Sequence, residues 1–235
     1  MNIDFSIVAP YWFVLLKGLG LTLAYTSSCA VLGSLAGFLL SLMRRSSSKW
    51  LKSASTLYVE FFRGTPLLIQ LFWVYFCLPV LFRIQVPPYL SVLIALTLYM
   101  AAITCETFRG ALKSIASEQH DACVALGLPT RIKTVHVIFP QALLRAIPTL
   151  LSNCVSLFKE SALISSVGIA DLMFVGQNIS NSTARPIEFL TTVGIIYFAV
   201  AFPLTRLVGL VESRYLKRFA YRVKASSSSL EEPVK

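Results

Sequence analysis

Charge is scarce in this chain. Asp, Glu, Lys and Arg make up 14% of its 235 residues, where an ordinary soluble domain carries about 25%. Histidine is scarcer still, with only His120 and His136, and the eleven carboxylates form no cluster with them, so a metal centre is excluded as the organising feature. The five cysteines (Cys29, Cys77, Cys105, Cys123, Cys154) are an odd number without a C-x-x-C pair, and four sit in apolar stretches. Neither a disulfide framework nor a zinc site follows from that pattern. No G-x-x-x-x-G-K-[ST] occurs, so the chain lacks the usual loop that cradles nucleotide phosphates. No cofactor is expected. A cleavable signal is not expected either, because Asp4 stands where a basic n-region would be and the first apolar run is too long.

Apolar residues are what the chain has in excess: 56% of the total, with a mean hydropathy of +0.71. That is more than one soluble core of this size hides, and it suits several membrane spans. Uncharged runs predict spans at about 18–43, 64–82, 84–105, 142–167 and 188–210. Each approaches or exceeds the roughly 20 residues that a crossing needs at 1.5 Å rise. The fourth is interrupted by Lys159 and Glu160, and Pro87 and Pro88 open the third. Five crossings place the termini on opposite sides.

Basic residues then orient the chain. Connections on one side, with the C-terminal tail, hold 17 Lys and Arg, among them Arg44, Arg45, Lys49, Lys52, Arg63, Arg109, Lys113, Arg131, Lys133 and Arg145. The other side has Lys17, Arg83 and Arg185 alone. By the positive-inside rule the N-terminus is outside and the C-terminus cytoplasmic. The net charge of +10 is thus topological and needs no nucleic acid. Two parts are expected: a membrane domain over 1–220, and a polar, serine-rich tail over 221–235 that reads as disordered.

The connection at about 110–141 is long enough to need structure of its own. Ala122, Ala125 and Leu126 fall at i, i+3, i+4, and Ile132, Val135 and Phe139 at i, i+3, i+7, around Gly127-Leu128-Pro129. The spacing predicts two short amphipathic helices joined at the glycine. A pair lying flat on the membrane would satisfy the same pattern. Within the fourth span, Lys159 and Glu160 are about 100° apart on a helix and cannot neutralise each other face to face. Charges inside a bilayer face a cavity or a partner. With Ser161 they are candidates for the border of a solute pathway; a structural pair joining two helices is the alternative. Glu60 with Arg63, and Glu106 with Arg109, share an E-x-F-R-G pattern and are spaced to pair at i, i+3. Arg44 and Arg45 are expected to face anionic headgroups.

Asp121-Ala122-Cys123-x-x-x-Gly127-x9-Val137-x-Phe139-Pro140 resembles the E-A-A-x-x-x-G-x9-I-x-L-P loop of ABC importer permeases, with same-class replacements at Asp121, Cys123, Val137 and Phe139. Glu60-Phe-Phe-Arg-Gly-Thr-Pro-Leu-Leu-Ile-Gln-Leu71, Glu106-Thr-Phe-Arg-Gly110, Lys159-Glu-Ser-Ala-Leu163 and Gly18-x-x-x-Thr22-Leu23 are similar to blocks of the polar amino-acid permeases, in the same order. The resemblance implies an all-α integral membrane protein: a MetI-like permease of five spans with cytoplasmic coupling helices. It implies ABC ATPase subunits, an extracytoplasmic solute-binding protein, a second permease subunit and a bacterial inner membrane. Asp121, Ala122, Cys123, Gly127 and Pro140 would then couple to the ATPase; Lys159, Glu160, Ser161, Glu60 and Arg63 would lie along the path of a polar amino acid. The substrate class extends to opines or cystine. The chain itself would not be an enzyme; Glu118, His120 and Asp121 are its nearest approach to a catalytic group, and they lie inside the coupling pattern. A passive channel would leave that pattern without a purpose.

Overall fold

The computed structural model describes residues 4–228, with side chains through residue 213. All regular structure among them is helical. A short 3-10 turn, Phe5–Tyr11, leads into α1 (Trp12–Met43); α2 is Lys49–Gly64. Then come α3 (Leu67–Phe72), a π turn (Trp73–Cys77) and α4 (Leu78–Phe82), followed by α5 (Pro88–Lys113) and α6 (Ser117–Ala125). α7 (Thr130–Ile132) passes through a second π turn (Lys133–Ile138) into α8 (Phe139–Glu160), which ends in a 3-10 stretch, Ser161–Val167. α9 (Leu172–Thr183) and α10 (Pro186–Ser228) complete the chain.

Four helical stretches are long and apolar enough to cross a membrane: Phe5–Met43, Pro88–Lys113, Thr130–Val167 and Pro186–Ser213. The expected second span, at about 64–82, is the Leu67–Phe82 limb of a bent pair that counts as a candidate fifth span only together with α2. α2 and the Leu67–Phe82 stretch meet at 108°, because Thr65 and Pro66 are extended, as a residue before proline prefers. The carbonyls freed by that break are collected by one side chain: the amide nitrogen of buried Gln70 donates to Phe62 O at 2.8 Å, Thr65 O at 3.0 Å and Thr65 Oγ1 at 2.8 Å. The Thr65-Pro66…Gln70 spacing is therefore a bend with its own repair.

Other expectations shift as well. The second helix of the 110–141 connection is not separate but the first turns of the α8 span, since no residue between Thr130 and Glu160 breaks it. Two helices appear where plain connections were expected, α2 and α9. Polar residues such as Gln177, Asn178, Ser180 and Asn181 hide α9 from a search for apolar runs. α10 continues to Ser228, past the expected start of the tail at 221; residues 229–235 lie outside those described.

α5 is the central helix: half of its apolar window is buried, against 33%, 17% and 28% for the others in chain order. It packs most extensively on α1, then on α8. In lipid, apolar burial does not drive helices together, so close packing must. α1 turns a line of small residues toward its neighbours: Thr22, Thr26, Cys29, Gly33, Gly37 and Ser41 are all buried. A Cβ at Gly33 would lie 2.6 Å from Met100 Cβ, and one at Gly37 would lie 2.5 Å from Ala101 O. Only glycine permits that approach. Around it Leu71, Val92, Leu96, Met100, Leu157 and Ile164 form the main core. A second cluster joins Leu15, Leu172, Phe189 and Val193 of α1, α9 and α10.

Charge ties the ends of three helices. Glu106 of α5, with a side chain 12% exposed, is approached by three arginines. Arg109 donates from Nε at 2.8 and 2.9 Å, Arg44 of α1 from Nη1, and Arg63 of α2 lies 3.5 Å away. Arg44 also meets Glu60 at 3.5 Å and donates to Thr56 Oγ1 at 3.2 Å. The Glu106–Arg109 pair is the one expected. Glu60 and Arg63 do not pair with each other, and Arg44 is held by the two carboxylates. The two E-x-F-R-G blocks converge because the α2 bend brings Arg63 back to α5.

Glu106→Gln would leave three arginines around an uncharged side chain. Breaking a buried pair costs about 3–5 kcal/mol, and the exposure of Arg63 and Arg109 reduces this to roughly 2 kcal/mol. Thermal unfolding of the detergent-solubilised protein should start clearly below that of the wild type, while Arg63→Gln has a smaller effect. Equal unfolding of Glu106→Gln and wild type would remove the knot as a structural tie.

Candidate functional site

Polar residues on α8 are arranged on one face. Arg145, Thr149, Ser152, Ser156 and Glu160 follow at i, i+4, i+7, i+11 and i+15, the period of a single helical stripe. The facing side of α5 carries Tyr99, Glu106 and Thr107, with Ser114 as the cap of its C-terminal end. The two helices meet at several rungs. Tyr99 donates its hydroxyl to Glu160 Oε1 at 3.1 Å, Asn153 Nδ2 donates to Thr107 Oγ1 at 2.9 Å, and Arg145 Nη1 donates to the Ser114 carbonyl. Between them, beside Arg63, Glu106 and Arg145, opens a cavity of about 510 Å³. Seven residues of α5, about 10 Å of rise, separate the Tyr99–Glu160 rung from Glu106.

Glu160 stands at the point where α8 changes from α to 3-10 geometry. One carboxylate oxygen takes the Tyr99 hydroxyl; the other is buried with no hydrogen-bond partner among the described residues. Such an oxygen within an apolar bundle calls for a donor. Lys159 is exposed on the protomer surface and makes no ion pair with Glu160, in keeping with the 100° between neighbours. Ser161 is buried, its hydroxyl donating to Phe158 O at 2.6 Å. Lys159, Glu160 and Ser161 thus face three different surroundings. Glu60 and Arg63 lie with the Glu106 knot, and Arg63 reaches the cavity.

The connection before α8 forms an elbow. α6 ends in a Schellman turn: Gly127 N donates to Val124 O at 2.9 Å and Leu128 N to Cys123 O at 3.0 Å, with Gly127 at φ +66°. That left-handed conformation is open to glycine and costly for a branched side chain. Cys123 is the residue of α6 that turns inward; Asp121, Ala122, Ala125 and Gly127 are exposed, and so are Val124 and Leu126, at 65% and 75%. Ala122, Ala125 and Leu126, spaced at i, i+3, i+4, share an exposed face. Pro140 lies just after the π turn Lys133–Ile138, whose irregular backbone hydrogen bonding accommodates its missing N–H.

A further buried cluster was not among the expected site residues. Asp171 is fully buried and caps α9 by accepting from Phe174 N at 2.9 Å. Thr22 Oγ1 accepts from Leu172 N at 3.0 Å and donates to Gly18 O at 3.1 Å. A Cβ on Gly18 would sit 3.1 Å from Leu172 Cα. The Gly18-x-x-x-Thr22 spacing is therefore a dock for the start of α9. Asp171 three residues before Phe174 was the available signal.

Residues 30–217 match the family model described as binding-protein-dependent transport system inner membrane component. The chain is 34% identical over 217 residues to the arginine transport system permease protein ArtQ of Bacillus subtilis (strain 168), covering 92% of this chain and 99% of that one. It is 32% identical to the probable amino-acid ABC transporter permease protein PatM of Vibrio harveyi, over 93% of this chain and 99% of that one. Among solved structures, an amino acid ABC transporter crystallised with histidines matches with a TM-score of 0.88 at 31% identity, over 91% of this chain and all of that one. The inward-facing MetNI methionine ABC transporter shares the fold, with a TM-score of 0.66 at 21% identity over 86% and 98%. With the family model over most of its length and relatives matched nearly end to end, the chain belongs to the binding-protein-dependent transport family of inner membrane permeases.

Proposed function

We propose that a polar amino acid crosses the membrane between the facing sides of α5 and α8, with Glu160 as its anionic contact. The chain is a permease subunit of an ATP-driven importer; a separate ATPase hydrolyses the nucleotide. The observation that carries the pathway is the buried, unpartnered oxygen of Glu160 at the helix break. A zwitterion leaving water needs an anion for its ammonium group, and Glu160 offers one, already oriented by Tyr99. Lys159, free of Glu160, is available to the carboxylate from the neighbouring surface of a second permease subunit. Relatives named for arginine and for amino-acid transport support the substrate class.

The elbow is where ATPase motion enters. Val124, Leu126 and the small residues around them are an exposed apolar knob that suits a groove on the ATPase, with Asp121 at its edge. Because α7 and α8 are continuous, a displacement at Gly127 is passed along one helix to Glu160. Alternating access follows if the two states bind the substrate and its binding protein with different affinity. Orientation is part of the reading: the N-terminus is outside, and the Glu106 knot and the elbow are cytoplasmic, supported by the distribution of Lys and Arg.

The test is uptake by the complete transporter in vesicles. Glu160→Gln and Lys159→Met should each lower uptake roughly hundredfold, the usual loss for a charged hydrogen bond, with subunit assembly intact. Wild-type uptake in either variant would take that residue off the path. At the elbow, Gly127→Val forces a branched residue into the left-handed region at roughly 1–2 kcal/mol, whereas Gly127→Asn is tolerated there. The valine variant should hydrolyse ATP without matching uptake and the asparagine variant should stay coupled; equal coupling in both would refute the lever. Finally, cysteines placed at Arg83 and Lys113 should react with an impermeant maleimide from outside and from inside respectively, and the reverse pattern would invert the topology.

A further inference from the structure

A second cavity, of about 410 Å³, lies on the flank of α5 away from α8. Its wall carries five cations and no carboxylate: Arg44 and Arg45 at the end of α1, Lys52 on α2, Arg109 and Lys113 at the end of α5. Arg44 and Arg109 are engaged by Glu106. Arg45, Lys52 and Lys113 are exposed and form no ion pair among the described residues. The knot thus holds two guanidiniums in place while three further cations converge on a hollow with nothing to neutralise them. Such a set attracts an anion, and its fixed and mobile donors suit the several oxygens of a phosphate.

The surroundings say what kind of phosphate. The hollow lies where two spanning helices end, and Leu112 is part of its wall. Leu42, next to Ser41 on α1, is 47% exposed. On α2, Trp50, Leu57 and Phe61 (i, i+7, i+11) are 87%, 72% and 58% exposed on the face opposite Lys52; that helix turns an apolar side outward, with tryptophan where the bilayer interface favours it, and Lys52 to the hollow. A ligand with an anionic head and hydrocarbon tails suits a basic hollow set among membrane-facing apolar surfaces; a free phosphate would have no use for them.

We propose that this hollow binds the headgroup of an anionic phospholipid, clamping the corner of α1, α2 and α5 to the membrane surface. Assigning it to the cytoplasmic leaflet rests on the orientation proposed above; the binding does not, and the maleimide experiment tests that orientation separately. Each basic residue at a membrane surface adds up to about fivefold to anionic-lipid binding, so the three unpaired cations together are worth between about tenfold and about a hundredfold.

The complete transporter, purified with its ATPase subunits, would be equilibrated with vesicles of phosphatidylcholine containing a trace of phosphatidylglycerol, and the lipid retained after re-isolation counted by native mass spectrometry. The wild type should retain phosphatidylglycerol in preference. The triple variant Arg45→Gln, Lys52→Gln, Lys113→Gln should lose that preference by roughly tenfold or more, with phosphatidylcholine retention unchanged. Lys17→Gln, on the other side, should stay within about twofold of wild type. The charge-preserving set Arg45→Lys, Lys52→Arg, Lys113→Arg should retain the lipid, which separates loss of the site from loss of the fold. Equal retention by wild type and triple variant overturns the proposal. So does displacement of the lipid by millimolar inorganic phosphate, which makes the ligand a soluble anion, and so does loss of the ATPase subunits in place of lipid, which makes the hollow a protein contact.

Discussion

A carboxylate near the end of a membrane span cannot stay charged without cations around it, and Glu106 draws them from three helices. Arg109 comes from its own helix, Arg44 from the end of α1 and Arg63 from the bend after α2. Holding those three together fixes where α1 and α2 finish relative to α5. Since α5 is the helix on which α1 and α8 both pack, the same carboxylate sets the frame for the polar stripe above it and for the basic hollow on its other flank. The glycine approach of α1 to α5 maintains that frame through the apolar part of the membrane, where no charge could be placed cheaply.

The working parts occupy different sides of this frame. One flank of α5 meets α8 through Tyr99, Thr107 and the capping Ser114. α8 contributes the less buried partner, with 17% of its apolar window inside the protomer. The helix changes from α to 3-10 geometry at Glu160, one of the residues with an unpartnered buried oxygen.

Polar groups elsewhere serve local order. Gln70 repairs the 108° bend, Asp171 caps α9, and Thr22 receives α9 at the Gly18 notch. Each compensates backbone groups that lipid cannot solvate. Gln70, Gly18 and Thr22 stand in the blocks that resemble the polar amino-acid permeases and Asp171 in none of them; in the structure all four make bends and docks.

Much of the architecture was legible from composition and spacing: the spans, the elbow at Gly127, and the family to which the blocks belong. Those are local properties, set by runs of apolar residues and by backbone preferences near Gly and Pro. The helices α2 and α9 were not legible, since one is amphipathic and the other too polar for a hydropathy search. Gly33-x-x-x-Gly37 and the Arg145-to-Glu160 stripe were present as periodic signals and would have shown on a helical wheel. Pairing was different. Whether Glu60 meets Arg63, whether Arg44 reaches Glu106, and which oxygen of Glu160 is left without a donor depend on the angle between helices distant in the chain. Short-range spacing carries no information about that angle; the bend at Thr65-Pro66 and the close approach at Gly37 decide it.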